Sequence, residues 1–406
     1  MASSLALWLE QDKPNSGSVE VELHFNYWCI KPVVKGCLRK RRLDEVHYLD
    51  VGIFFSQICA GQKLKVYFPF RVSEDNYISN LGRLVCERRE LLEAVFNSDV
   101  HRESENGHVS KIKLVSDGRV IYFLKDISVV EGSGVSISPF GSGSVICFGG
   151  DALQIPQDGG AKVAEDSANV TADMGAHQAV SPDGMVGYVR FRLVLDDFDR
   201  KALLTSHIPG DKLFFSRVDS TEIIDFRVNE ARSLTNEINH KLELSKLIID
   251  KVHFFVIKDI ESDLVLSHAD VSRCRLLENK IWQEYIDCGH ERGMPVESQM
   301  LIYHWKEVGK ARERVKGGQD PVTDCRKDMV GSGVGLVKYS AFAKFRVVRI
   351  TIFSQAVFAT FLVGLGVVSG LLANWIYTLF SAGAVGSNSM PLDEWLMFAR
   401  LMTGSA

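Results

Sequence analysis

The densest group of side chains able to grip a ligand lies in residues 226–232, FRVNEAR, where Arg227, Asn229, Glu230 and Arg232 crowd the end of an apolar run. A guanidinium is a planar fork that meets a carboxylate or phosphate through two parallel hydrogen bonds, so these four residues are candidates for holding a polar ligand. The competing reading is a turn closed by its own salt bridges. The most concentrated basic patch is Arg39, Lys40, Arg41 and Arg42, with Lys31 and Lys35 upstream. Phospholipid headgroups, nucleotides or nucleic acid would suit it electrostatically. Asp44 and Glu45 follow at once and favour a solvated or ion-paired face.

Other groupings carry less chemistry. Asp196, Asp197 and Asp199 cluster as a hard cation would require, but aspartates also gather in solvated turns at strand ends. Cys274, Cys288, His290 and His304 are zinc-type donors without the spacing of a compact zinc knuckle. The glycine-rich stretches 331–335 and 132–150 lack the lysine of a phosphate-binding loop, and both read as loops. Ser206-His207 and Ser267-His268 are adjacent dipeptides, and chain neighbours seldom face each other as nucleophile and base. No metal or cofactor is expected, and no catalytic residue is assigned.

The elements that must position these residues are dominated by one segment. Residues 351–380 contain no Asp, Glu, Lys, Arg or His. As a helix those residues extend about 45 Å, more than the roughly 30 Å of a bilayer's hydrocarbon core. The net charge of −4 divides unevenly: residues 306–349 carry eleven Lys or Arg and five Asp or Glu, residues 381–406 carry −1, and residues 1–305 therefore carry −9. Lys344, Arg346 and Arg349 precede the apolar run, and the positive-inside rule places that flank in the cytoplasm. The N-terminus lacks the basic region of a secretory signal. A single-pass protein is expected, N-terminus cytoplasmic and C-terminus outside, with a bacterial inner membrane favoured. Gly366 and Gly370 form a GxxxG that allows close helix approach, hence a homo-oligomer through the membrane helix. Residues 391–402 read as a short interfacial helix.

Upstream, alternation of apolar and polar residues predicts strands at 19–27, 63–70 and 188–195, and the apolar stretches 223–228, 252–257 and 301–305 read as further strands, 252–257 apolar enough to be central. Residues 78–96 and 271–287 carry helical apolar spacing, and Asp117-Gly118 predicts a tight hairpin between 111–115 and 120–124. Eight cysteines without a CxxC read as reduced thiols. The fold class expected is α+β and β-rich: two sandwich-like cytosolic domains, 1–150 and 188–305, a flexible linker at 151–187, a basic glycine-rich stalk at 306–350, a transmembrane helix at 351–380 and an external tail at 381–406.

A net charge of −9 over residues 1–305 makes nucleic acid an unsuitable partner. The expected function is a membrane-anchored recognition or sensor module for a small ligand or a protein partner, with the lipid bilayer as its second partner. A bacterial defence or stress effector is the sharper form of that expectation. The alternatives are a membrane-tethered enzyme and a scaffold for a partner protein.

Overall fold

The computed structural model describes residues 3–12, 17–31, 33–35, 40–42, 45–155, 187–207, 219–288, 299–309, 335–348 and 352–385. They form a β-rich body, residues 1–207 with 221–347, and a second unit, residues 208–220 with 348–406.

The body is built on a ten-stranded sheet. Nine strands lie side by side in the order Arg273–Leu276, Met300–Val308, Leu247–Asp259, Val19–Ile30, Val46–Phe55, Gly187–Leu195, Val120–Leu124, Val109–Leu114 and Val100–Asn106, and Tyr77–Ile78 pairs with Gly187–Leu195. Two pairings are parallel, Val19–Ile30 with Leu247–Asp259 and Val120–Leu124 with Gly187–Leu195. Among the described residues the body also holds two four-stranded sheets, Ala6–Gln11, Gln62–Phe68, Gly143–Gly149, Val135–Phe140, and Leu204–His207, Asp219–Val228, Tyr339–Val348, Ser262–Ser267, each in that order, and a two-stranded one, Val33–Lys35 with Lys40–Arg42.

Because side chains alternate across a strand, the ten-stranded sheet has two separate interiors. On one face Leu23, Phe25, Val51, Phe191 and Phe254 pack with residues of both smaller sheets, such as Leu64, Phe148, Phe226 and Phe345. On the other, Trp28, Phe54 and Tyr188 meet the helices Leu81–Glu87, Arg89–Phe96 and Asn279–Asp287 through Leu81, Leu91, Leu92, Trp282 and Tyr285. Apolar burial at roughly 25 cal/mol per Å² is the dominant stabilising contribution on both faces.

Several expectations are corrected. Strands from 1–150 and from 188–305 interleave in one sheet, so the two proposed domains share a core. Residues 78–96 form two helices, since Arg88 is extended (φ −110°, ψ 112°) within a charged run that has nothing to bury. In 271–287 only Asn279–Asp287 is helical, and Arg273–Leu276 is an edge strand paired with Met300–Val308. The hairpin turn at Asp117-Gly118 is wider than two residues: Val120 pairs with Lys113, and Leu114 N–H donates to Arg119 C=O. The glycine-rich stretch 132–150 contains the paired strands Val135–Phe140 and Gly143–Gly149. The stalk expected at 306–350 begins and ends in strands, and Lys344 and Arg346 belong to Tyr339–Val348.

The second unit contains the helix Ile352–Val385. Its segment Phe358–Ser381, 24 residues, is long and apolar enough to cross a membrane. Residues 156–186 of the linker expected at 151–187, the glycine-rich residues 331–334, Arg39, His290, Arg349 and residues 386–406 of the expected tail lie outside the described residues. Cys29, Cys59, Cys86, Cys147, Cys274 and Cys288 form no disulfide among the described residues.

Candidate functional site

Three of the four residues singled out in FRVNEAR line a broad cleft of about 930 Å³. Strand Asp219–Val228 runs out at the cleft, where Leu5 N–H donates to the Arg227 carbonyl and Asn229 N–H donates to the Leu5 carbonyl. Asn229 does not border the cleft. It turns the chain in the left-handed region (φ 56°), which asparagine tolerates better than most residues, and its Oδ1 accepts from Leu7 N–H at 2.9 Å. That turn presents Arg227, Glu230 and Arg232 to the cleft.

The charges there are largely paired. Arg227 makes a two-pronged bond to Asp225, Nε to Oδ1 at 2.8 Å and one terminal nitrogen to Oδ2 at 2.7 Å. Glu230 receives Lys338 Nζ at 3.0 Å and Arg232 Nε at 3.3 Å. Hydrogen bonding from Lys338, more than that from Arg232, holds its carboxyl below the usual range. Two cations thus share one carboxylate, and both reach water, with side-chain exposures of 86% for Arg232 and 55% for Lys338. His268 and the hydroxyl-bearing Ser142, Thr235 and Ser340 add further polar groups to the lining. Arg227, Arg232 and Lys338 against Asp225 and Glu230 leave one excess positive charge in the lining.

The other predicted groupings have local partners. Asp196 Oδ1 accepts from the backbone N–H of Phe198 and of Asp199, both at 2.7 Å, and Asp197 pairs with Arg200 at 3.0 Å. These aspartates shape a turn and do not line the cleft. Lys40, Arg41 and Arg42 form a short strand opposite Val33–Lys35. Cys274 is exposed on its edge strand, while His304 stacks on Phe255 at 4.2 Å.

A second polar centre, which alternation alone does not reveal, fills the helix-covered face of the large sheet. Asp50, fully buried, accepts from Trp28 Nε1 at 2.7 Å, Arg192 Nε at 2.6 Å and the Tyr285 hydroxyl at 2.6 Å. Arg192 also donates to the carbonyls of Tyr285 at 2.8 Å and Cys288 at 3.1 Å, which closes the C-terminal end of Asn279–Asp287. Arg190 donates to Tyr285 Oη at 2.7 Å and Tyr188 Oη at 3.0 Å. Its remaining terminal nitrogen makes no hydrogen bond among the described residues and stands 3.8 Å from Asp50. Those two arginines were the polar side of an expected half-exposed strand, yet they are among the largest fully buried side chains.

Beside this network stand Glu22, His24, His253 and His304. Glu22 Oε1 lies 3.1 Å from His24 Nε2 and 3.3 Å from His253 Nε2, while Oε2 lies 3.4 Å from Lys251 Nζ and 3.8 Å from Arg119. His253 Nδ1 is 3.0 Å from His304 Nε2. Burial acts to raise the Glu22 carboxyl, but hydrogen bonds from His24 and His253 and the charge of Lys251 outweigh it and hold the group well below the carboxylate range. Burial, opposed by the Glu22 hydrogen bond, lowers His24 to about 4. Burial and then the neighbouring His253 lower His304 to about 3. The separations of 229 residues between Glu22 and Lys251 and 51 between His253 and His304 conceal this centre from any local motif.

No protein-family model matches the chain, and no curated protein matches it.

Proposed function

We propose that this chain is a recognition module held at a lipid bilayer by one C-terminal membrane-spanning helix, with the cleft at Arg227, Glu230, Arg232 and Lys338 as its ligand site. The observation that carries the reading is the cleft itself: about 930 Å³, one excess positive charge, and cationic side chains that are paired yet remain open to water. A ligand bearing a carboxylate or phosphate, whether a small molecule or a segment of a partner protein, would exchange one such pair for another at small net desolvation cost. The layered arrangement of the two smaller sheets against the large one is a sandwich-like scaffold for that cleft.

Support for the anchor is the length of Phe358–Ser381, whose 24 helical residues extend about 36 Å against roughly 30 Å of hydrocarbon. Lys344, Arg346 and Arg349 favour a cytoplasmic body and an external tail, in a bacterial inner membrane. A side-chain carbon added at Gly366 or at Gly370 would meet nothing within 4 Å among the described residues, which leaves this small-residue face open for a second copy. Ligand occupancy in the body would then bias helix assembly, as a defence or stress effector requires.

The test is purification of the full chain in detergent beside Arg232→Glu/Lys338→Glu, with quantitative mass spectrometry of bound small molecules and proteins. An anionic molecule that accompanies the parent and is depleted at least tenfold from the variant supports the reading. Identical profiles from two equally folded proteins overturn it.

A further inference from the structure

We propose that Glu22, His24 and His253 form a binding site for a divalent transition-metal ion of the zinc class, with His304 as the positioning residue for His253. One donor atom from each of the three lies within 4.8 Å of the others. Two imidazoles and one carboxylate are a recurrent donor set for such ions. Metal–ligand bonds of about 2.0–2.1 Å in a tetrahedral arrangement place neighbouring donors about 3.3 Å apart. Glu22 Oε1 already stands 3.1 Å from His24 Nε2 and 3.3 Å from His253 Nε2, so two edges of that polyhedron exist before an ion enters.

The backbone fixes these positions. Strands Val19–Ile30 and Leu247–Asp259 are parallel neighbours, with His253 in register with His24 and Lys251 with Glu22. Glu22 and His24, two apart on one strand, share a face with His253. The surroundings are also those of a ligand set. His253 Nδ1, bonded to His304 Nε2 at 3.0 Å, can carry its proton there and leave an Nε2 lone pair toward Oε1. Lys251 and Arg119 approach the other carboxylate oxygen and leave Oε1 to the histidines. His24 additionally borders a cavity of about 30 Å³ with Asn26 and Arg190, room for one water as a further ligand. A hydrogen-bonded cluster in which both Nε2 atoms donate to Glu22 is the alternative use of the same groups. Lys251 distinguishes them: its charge strengthens a metal-free cluster through Glu22 and weakens a site that must accept a dication.

The full chain, chelator-treated and then exchanged into detergent buffer, is titrated with Zn²⁺ against a chromophoric competitor, and with Co²⁺ for its visible d–d bands. One Zn²⁺ per chain and tetrahedral-type Co²⁺ bands are expected. Both should be lost in His253→Gln, weakened about ten- to a hundredfold in His304→Phe, and strengthened at least threefold in Lys251→Gln. Circular dichroism of the metal-free variants verifies that each is folded, and a misfolded His253→Gln is replaced by His24→Gln. Absence of stoichiometric Zn²⁺, retention of it in folded His253→Gln or His24→Gln, or weaker binding in Lys251→Gln overturns the site.

Discussion

Asp50 is the carboxylate that faces two buried guanidiniums. It answers Arg192 directly and Arg190 at 3.8 Å, and it also accepts from Trp28 and Tyr285. Asp50→Asn therefore leaves two buried guanidiniums without their counter-charge, and urea denaturation should show a loss of about 3–5 kcal/mol. Tyr285→Phe removes one hydroxyl from the same network and should cost only about 1–3 kcal/mol. The buried histidines give acid sensitivity of definite sign. His24 titrates near 4 and His304 near 3 in the folded chain, below the ordinary 6.5, so in that interval the unfolded chain binds more protons. Stability of the chelator-treated protein should be full above pH 6.5, fall as pH drops toward 4 and continue to fall toward 3. His304→Phe, which keeps a ring to stack on Phe255, should reduce that slope in denaturant melts between pH 4 and 6.5. An unchanged slope would remove His304 from the account. Glu22 adds a further loss that begins as pH falls through the ordinary carboxylate value of 4.5, because its folded carboxyl is held below that range.

At the scale of elements, the helix Leu81–Glu87 lies so close to strand Val120–Leu124 that a side chain at Gly82 would meet the Leu124 carbonyl oxygen at 2.8 Å and the Phe123 ring at 3.0 Å. Helix propensity favours Gly82→Ala by about 1 kcal/mol, whereas overpacking against a backbone atom costs about 1–3 kcal/mol. The clash wins, and the variant should melt at a lower temperature than the parent; a higher one would mean that the helix can shift outward. Much of this architecture was legible in the sequence: the runs at 19–27 and 188–195 are strands whose apolar sets recur every second residue, and 252–257 is an apolar run that lies in a central strand. Alternation does not reveal what lies opposite the apolar face. Glu22, His24, Arg190 and Arg192 have the pattern of solvent-facing residues, and helices from elsewhere in the chain cover that face instead. Residues 271–287 misled for a related reason, since Val271, Cys274 and Leu277 recur at helical spacing while the edge position in the sheet decides their conformation. The FRVNEAR cleft was half visible. Its arginines and Glu230 lie within one seven-residue stretch, but Lys338 and His268 reach it only because the strands they adjoin, Tyr339–Val348 and Ser262–Ser267, pair with each other.

For the whole molecule, a layered β-rich body and one long apolar helix constrain function more than any single motif does. The large sheet draws on residues from Val19 to Val308, so the body should unfold as a unit, and a ligand or ion bound to its native form should raise its melting temperature. Along Ile352–Val385, Leu371 and Trp375 are 65% and 61% exposed in the isolated chain, an apolar surface that a bilayer or further copies would cover. If the glycine face mediates assembly, Gly366→Leu/Gly370→Leu should reduce crosslinked oligomer in membranes severalfold while leaving the amount of membrane-bound chain unchanged. Equal crosslinking would restrict the helix to anchoring. Alkaline carbonate extraction of membranes from expressing cells tests whether this helix spans a bilayer. The full chain should remain in the membrane pellet while a chain ending at Val348 is released to the supernatant; extraction of the full chain into the supernatant would mean that the helix does not span.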